Sequence, residues 1–244
     1  KIACSEKIKP IFKDAFPNNE VIPIKINGIA PKHLKDIDYQ ASLTEIGSIY
    51  RPDRESFKGD GIYLKPNKKR TEELKKRYRK GRKIPLIGIS WRSSNTFAQN
   101  QKSMPLINWE SILNLSSVEF ISLQYGNTDA EKKHFYEKTG IKLISDSEII
   151  PEKNFQDFIN QVNALDLVIS VSNTTVHVGG ALGIPTWAIV AKGTGRPWYW
   201  FNEHQECFWY KSVKIYNQKN SGDWKEPRFR IEQDLNDWKK DWKK

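Results

Sequence analysis

Cysteine is scarce in this chain: of its 244 residues only Cys4 and Cys207 carry a thiol. Two cysteines make no disulfide framework, so a reducing compartment, the cytoplasm, is the simpler expectation. No apolar run approaches the roughly 20 residues that span a bilayer. No cluster of Cys and His with ligand spacing is present, so no metal is predicted. The chain begins at Lys1 without an initiator Met or a signal-peptide pattern, and it reads as a fragment whose upstream part is missing. Internal repeats and low-complexity tracts are absent as well.

What is abundant is tryptophan and positive charge. There are nine Trp, and the formal net charge is +11. The charge is local: residues 65–83 carry +9 and residues 238–244 carry +3, which leaves the remainder near neutral at −1. With 38% hydrophobic and 28% charged residues the chain is globular rather than disordered. The basic stretch has a single aromatic, Tyr78, and no RNA-binding signature accompanies it, so no specific nucleic-acid partner is predicted. A solvated linker helix, with at most weak contact to an anionic membrane, fits it better.

Strand and helix signals alternate along the chain. Ile2 to Cys4 starts a strand, Ser5 is a candidate helix cap before Ile8, Ile11, Phe12 and Ala15, and Val21 to Ile24 starts another strand. Residues 25–64 read as irregular, with turn signals at Asn27-Gly28 and Gly59 to Gly61. A basic helix over 67–80, stopped by Gly81, follows. Strands are then predicted at 84–90, 118–123, 141–144, 167–171 and 186–190. Helices are predicted at 109–115, 129–139, 155–165 and 174–182, and a last helix from Trp224 presents Ile231, Leu235, Trp238 and Trp242 on one face. The 167–171 strand has no alternation, as expected when both faces are buried. This spacing argues for a parallel sheet covered on both sides. The expected division is 1–64 as the remnant of a first Rossmann-like unit, 65–83 as linker helix, 84–218 as a nucleotide-binding domain, and 219–244 as a C-terminal helix.

In open parallel sheets ligands bind beyond the carboxyl ends of the strands, which selects three loops. In the first, Ser172 and Asn173 can cap a helix that starts at Thr174, and its free N–H groups and dipole suit a phosphate. His177 lies one turn in, where the dipole favours its neutral form. The alternative is an ordinary capped helix with a satisfied histidine. The second loop, 91–103, carries Arg92 and Lys102, a fork and a point charge for a diphosphate, or else is a solvated loop with incidental charges. The third, 191–200, ends in Trp198-Tyr199-Trp200, either a stacking surface or lid at the site or an aromatic cover over the core.

The run from Ile169 to Thr186, with Ser172-Asn173-Thr174-Thr175-Val176-His177 at its centre, resembles the donor-site segment of the ADP-heptose:lipopolysaccharide heptosyltransferases. It looks still more like the bacterial glycosyltransferase domain found after tetratricopeptide repeats. Weaker matches run through Gly88 to Arg92, Lys102 to Leu106, Ile121 to Gly126, Trp198 to Trp200, Trp209 to Val213 and Gly222 to Trp224. The resemblance implies a GT-B-like α/β fold of two Rossmann-like units, the first truncated here. It implies an inverting, metal-independent glycosyltransferase that uses a nucleotide-diphosphate sugar as donor and no further cofactor. The acceptor, whether glycan, lipid-linked or protein, is left open. Lys102, and Arg92 with it, would meet the diphosphate. Ser172, Asn173, Thr174 and His177 would form the phosphate and sugar edge, and Gln124 and Tyr125 would lie near the nucleotide. Lys102 and His177 are the candidates for a catalytic role. Heptosyltransferases often have Asp-Thr where this chain has Ser172-Asn173, and the family's acceptor loop and general base lie in the first unit. A non-catalytic nucleotide-sugar or glycan-binding module is therefore the rival reading.

Overall fold

The computed structural model describes residues 1–25, 28–94, 99–201 and 206–242. Asn27 of the expected turn and residues 95–98 of the second loop lie outside these.

The chain opens as strand, helix, strand: β1 (Ile2–Ser5), α1 (Lys9–Ala15) and β2 (Val21–Ile24), with β1 and β2 paired in parallel. Ser5 does not cap α1. It ends β1, and Ile8 sits at the cap with no side-chain bond, while Pro10 pre-sets the first helical turn. The stretch expected to be irregular holds a helix, α2 (Leu43–Tyr50), started by a capping box in which Ser42 and Glu45 each receive the other's backbone N–H.

The basic helix is α3 (Lys68–Arg79), capped by Asn67 and ended by Lys80 in the left-handed region, before Gly81. It is packed on one side: Leu74 and Tyr78 are buried in the core and Thr71 with them. Its cations meet carboxylates further along the chain. Arg79 forks onto Asp166 at 2.9 and 3.0 Å, Arg77 reaches Asp146 and Glu148, and Arg70 reaches Asp157 and Glu148. Much of the local +9 is thus matched by fixed partners. Oligonucleotides at physiological salt should bind no tighter than micromolar, and a sub-micromolar dissociation constant in a fluorescence titration would contradict this.

The remaining elements are β3 (Leu86–Ser90), α4 (Gln99–Lys102), α5 (Glu110–Leu113), β4 (Glu119–Ser122), α6 (Asp129–Thr139), α7 (Phe155–Asn163), β5 (Leu167–Val171), α8 (Thr174–Ala181), β6 (Thr186–Val190), β7 (Val213–Asn217) and α9 (Lys225–Asp241). Five strands form one wholly parallel sheet in the order β4-β3-β5-β6-β7. Every residue of β3, β5 and β6 is buried. Alternate residues feed opposite cores. Ile87, Ile89, Leu167, Ile169 and Val171 face α5, α6 and α9, whereas Leu86 and Val168 face α3 and α7. Two expectations change. Residues 141–144 reduce to a single bridge between Ile121 and Ile144, and the helix expected over 109–115 shortens to α5, with Trp109 closing a 3-10 turn at Leu106–Trp109 before it. Strand β7 was not anticipated. In α9, Ile231 and Leu235 are buried and Trp238 packs beside them, but the helix stops at Asp241, and Trp242 instead faces the Arg79 guanidinium at 5.8 Å.

Candidate nucleotide-diphosphate site

Strand order places the site. From β3 the chain moves outward to β4, then returns to the other side of β3 as β5 and continues to β6 and β7. The crevice at such a reversal lies beyond the carboxyl ends of β3 and β5, at Ser90 and Val171.

A hydrogen-bond network closes that point. Gln124, just after β4, accepts from Ser90 Oγ at 3.1 Å and from the N–H groups of Trp91 and Arg92 at 2.9 Å, and its Nε2 donates to the Arg92 carbonyl at 3.2 Å. Asn173 donates to Ser90 Oγ at 2.7 Å and to the Arg92 carbonyl at 3.1 Å. Its Oδ1 accepts from Ser170 Oγ at 3.1 Å and from Thr175 N–H at 2.9 Å, which makes it the cap of α8. Both amides are thereby filled by protein groups. Gln124 and Asn173 pin the β3 exit to the start of α8.

Helix α8 comes close to its neighbours because of two glycines. A Cβ on Gly179 would fall 2.3 Å from Thr186 Oγ1, and one on Gly180 would fall 2.4 Å from the Tyr210 ring. Ser172 is buried and its hydroxyl accepts from Trp200 Nε1 at 2.6 Å. Thr174 is exposed at the helix start. His177 stacks on Trp200 with ring centroids 5.3 Å apart and meets the edges of Tyr199 at 5.2 Å and Tyr210 at 6.0 Å. Its Nδ1 lies 3.4 Å from the Tyr210 hydroxyl. Burial, and then the nearby Lys102 ammonium, pull the imidazole down from 6.5 to about 4. Burial likewise pushes the Tyr210 hydroxyl upward, so both groups are neutral near pH 7.

That shift has a sign. The folded chain resists protonation of His177, so the unfolded chain binds more protons between pH 6.5 and 4, and stability is lost as pH falls through that window. The loss attributable to His177 is on the order of 3 kcal/mol. Thermal melts at pH 6.5 and pH 4 should differ less in His177→Phe than in the unmodified chain, and an equal difference in both would contradict the assignment.

Lys102 ends α4, and the residues after it fold across the end of β3: Ser93 N–H donates to Ser103 Oγ at 3.0 Å and Met104 N–H to the Trp91 carbonyl at 3.0 Å. On its far side α4 meets the loop after β6, where Thr194 Oγ1 donates to Gln101 at 2.5 Å. Lys102 is consequently 7% exposed, and burial lowers its pKa. Among the described residues no carboxylate or hydrogen-bond acceptor pairs with its ammonium. The other predicted cation is differently placed. Arg92 donates to the Asn127 carbonyl at 2.8 Å and lies 3.7 Å from Glu131, so its fork turns toward the loop after β4. Tyr125 accepts from Ser94 Oγ at 3.3 Å and, with Arg92, Gln124 and Lys7, lines a cavity of about 490 Å³. The Trp-Tyr-Trp run divides. Trp198 is exposed, Tyr199 is half-buried, and Trp200 is a core residue rather than part of a lid.

Sequence reasoning gave no individual role to Tyr210, which lies in the Trp209 to Val213 stretch and contacts His177. As for metals, Asp36-Ile37-Asp38 does have the Asp-x-Asp spacing, but both aspartates are exposed, and no three His, Cys, Asp or Glu residues come together among the described residues. The two free cysteines, Cys4 and Cys207, are both buried. No described helix is long and apolar enough to cross a membrane.

No family model matches the chain. Protein FlbA of Caulobacter vibrioides is 27% identical over 97% of this chain, which spans 41% of that protein's length. Among solved structures, the ADP-heptose lps heptosyltransferase II of E. coli superposes with a TM-score of 0.56 at 11% identity, over 96% of this chain and 87% of that one. A glycosyl transferase family 9 protein of Veillonella parvula superposes with a TM-score of 0.50 at 11% identity, over 74% of this chain and 53% of that one. Identities this low speak for the fold alone: the chain is an α/β protein of the GT-B type, with a five-stranded parallel sheet and a short Rossmann-like unit before it.

Proposed function

We propose that this chain is a glycosyltransferase, or its donor-binding part, and that it takes a nucleotide-diphosphate sugar without a metal and with inversion. The observation that carries the reading is Lys102, a buried ammonium near His177 of α8 that has no counter-ion among the described residues. A buried charge is costly unless paired, and a diphosphate would pair it. The exposed helix start at Thr174 adds N–H groups and the positive end of the dipole. In transfer, charge grows on the leaving diphosphate, and these prearranged groups stabilise it as it forms. His177, held neutral, offers a hydrogen bond without adding charge. Gln124, Asn173 and Ser172 act as positioning residues, and Arg92 and Tyr125 border the cavity proposed for the nucleoside.

The division of the chain goes with this reading. Residues 1–64 belong to the acceptor side, 65–83 are the connecting helix, 84–218 the donor domain and 219–244 the closing helix. The likeness to transferases that follow tetratricopeptide repeats belongs to the same proposal, as does a cytoplasmic setting.

One observation favours a binding module without turnover. Among the described residues, the groups set around the α8 start are Lys102, Thr174, His177 and Tyr210, with no carboxylate to serve as general base. A thermal-shift series with UDP-, ADP- and GDP-sugars should raise the melting temperature with at least one donor, and donor hydrolysis then separates enzyme from module. No shift with any nucleotide sugar would overturn both readings.

A further inference from the structure

A second cleft opens at the carboxyl ends of β6 and β7, with a volume of about 1000 Å³. Lys192, Arg196, Lys219 and Arg230 line it, and no acidic residue does among the described ones. Glu226, behind the wall, bonds Arg230 at 2.9 Å and Lys219 at 3.1 Å, one carboxylate for two cations. Lys192 makes its side-chain bond to a carbonyl, that of Lys219, at 2.8 Å. Arg196 is fixed by Asn217 Oδ1 at 2.8 Å and by the Trp200 and Phe201 carbonyls. Among the described residues, Lys192, Lys219 and Arg230 thus share a single carboxylate.

Gln218 fixes the wall. It is 4% exposed, and its Oε1 accepts from Lys192 N–H at 3.1 Å, which holds the start of the Lys192 loop against the end of β7. At the mouth stands Trp198, 59% exposed, with a flat face of the kind on which a sugar ring stacks. The wall thus offers donors, charge and one aromatic face.

We propose that this cleft binds an anion-bearing saccharide: the carboxylate or phosphate meets Lys192 and Lys219, and the ring lies on Trp198. The site is separate from the Lys102 crevice, although the turn at Trp198–Trp200 borders both, because Tyr199 and Trp200 face His177. It does not depend on the transferase reading.

The test uses the full chain and four probes in calorimetric titration: glucuronic acid, glucose 6-phosphate, glucose and inorganic phosphate. At least one charged sugar should bind, and which of them does identifies the anion. The double variant Lys192→Ala/Lys219→Ala should weaken that binding tenfold or more. Both lysines are exposed, so the variant should keep the unmodified melting temperature and nucleoside diphosphate affinity. Four results would overturn the proposal: neither charged sugar binding, glucose binding as tightly, inorganic phosphate binding as tightly as the charged sugar, or a double variant that binds unchanged.

Discussion

Lys102→Met should leave the chain at least as stable as before and should weaken nucleoside diphosphate binding ten- to a hundredfold. Lys102 is buried without a counter-ion among the described residues, and burial lowers its pKa. In the unliganded protein its charge is therefore a cost, present while the group is protonated and relieved only as pH rises toward the unfolded lysine value. Methionine has a similar length and no charge, so the cost disappears and the packing is kept. With a diphosphate bound the balance reverses, because a charge-assisted hydrogen bond contributes about 1.5–3 kcal/mol, which is roughly ten- to a hundredfold in affinity. The combination is diagnostic. A structural lysine would lower the melting temperature on removal, and an incidental one would leave binding alone. Calorimetric melting and titration of one preparation read both quantities, and either of those outcomes removes Lys102 from the site.

Asn173→Ala should destabilise the fold by about 3 kcal/mol or more, the largest loss expected of a single polar substitution here. Its amide closes four bonds that join β3, β5 and α8 at the strand-order reversal. Losing the α8 cap costs about 1 kcal/mol, and the partners left buried and unmatched add the rest. Nucleotide binding should fall as well, since the start of α8 loses its anchor to Ser90 and Arg92. Urea unfolding measures the effect, and a change below about 1 kcal/mol would mean that water replaces the side chain and that the network is not what fixes the crevice.

The sheet was largely legible because its central strands are short, unbroken apolar runs between capped helices. β5 has the bounds expected of it, and α6 ends at Gly140 in the left-handed conformation, as its sequence indicates. The failures have local causes. α2 has no buried residue, so no core-facing stripe announces it, and the capping box at Ser42 and Glu45 was the available signal. β7 is an edge strand whose Val213 and Ile215 alternate around exposed Lys214, a short pattern overshadowed by the aromatic run before it. Residues 141–144 are apolar, yet they reach the sheet at one point only.

At the site, sequence reasoning could select the rim but not the state of each side chain on it. Whether a lysine is buried depends on what covers it, and Lys102 is covered through contacts of α4 with the loop at 193–195, some 90 residues away in the chain. Arg92 has the residue type of a phosphate fork, but sequence could not show that Asn127 and Glu131 engage it. Trp200 reads like its neighbours in sequence, but its indole N–H is turned inward to Ser172. Residue type and loop position locate the chemistry, whereas hydrogen-bond partners from distant segments decide which groups remain free for it.

The central claim is that a nucleotide diphosphate occupies the crevice between Lys102 and the start of α8. A crystal structure with the nucleoside diphosphate that most raises the melting temperature tests it directly. The account predicts diphosphate oxygens within hydrogen-bond distance of Lys102 Nζ and of the backbone N–H at Thr174, with His177 beside them. A diphosphate bound instead in the cleft at Lys192 and Arg196, with Lys102 still unpaired, would contradict it.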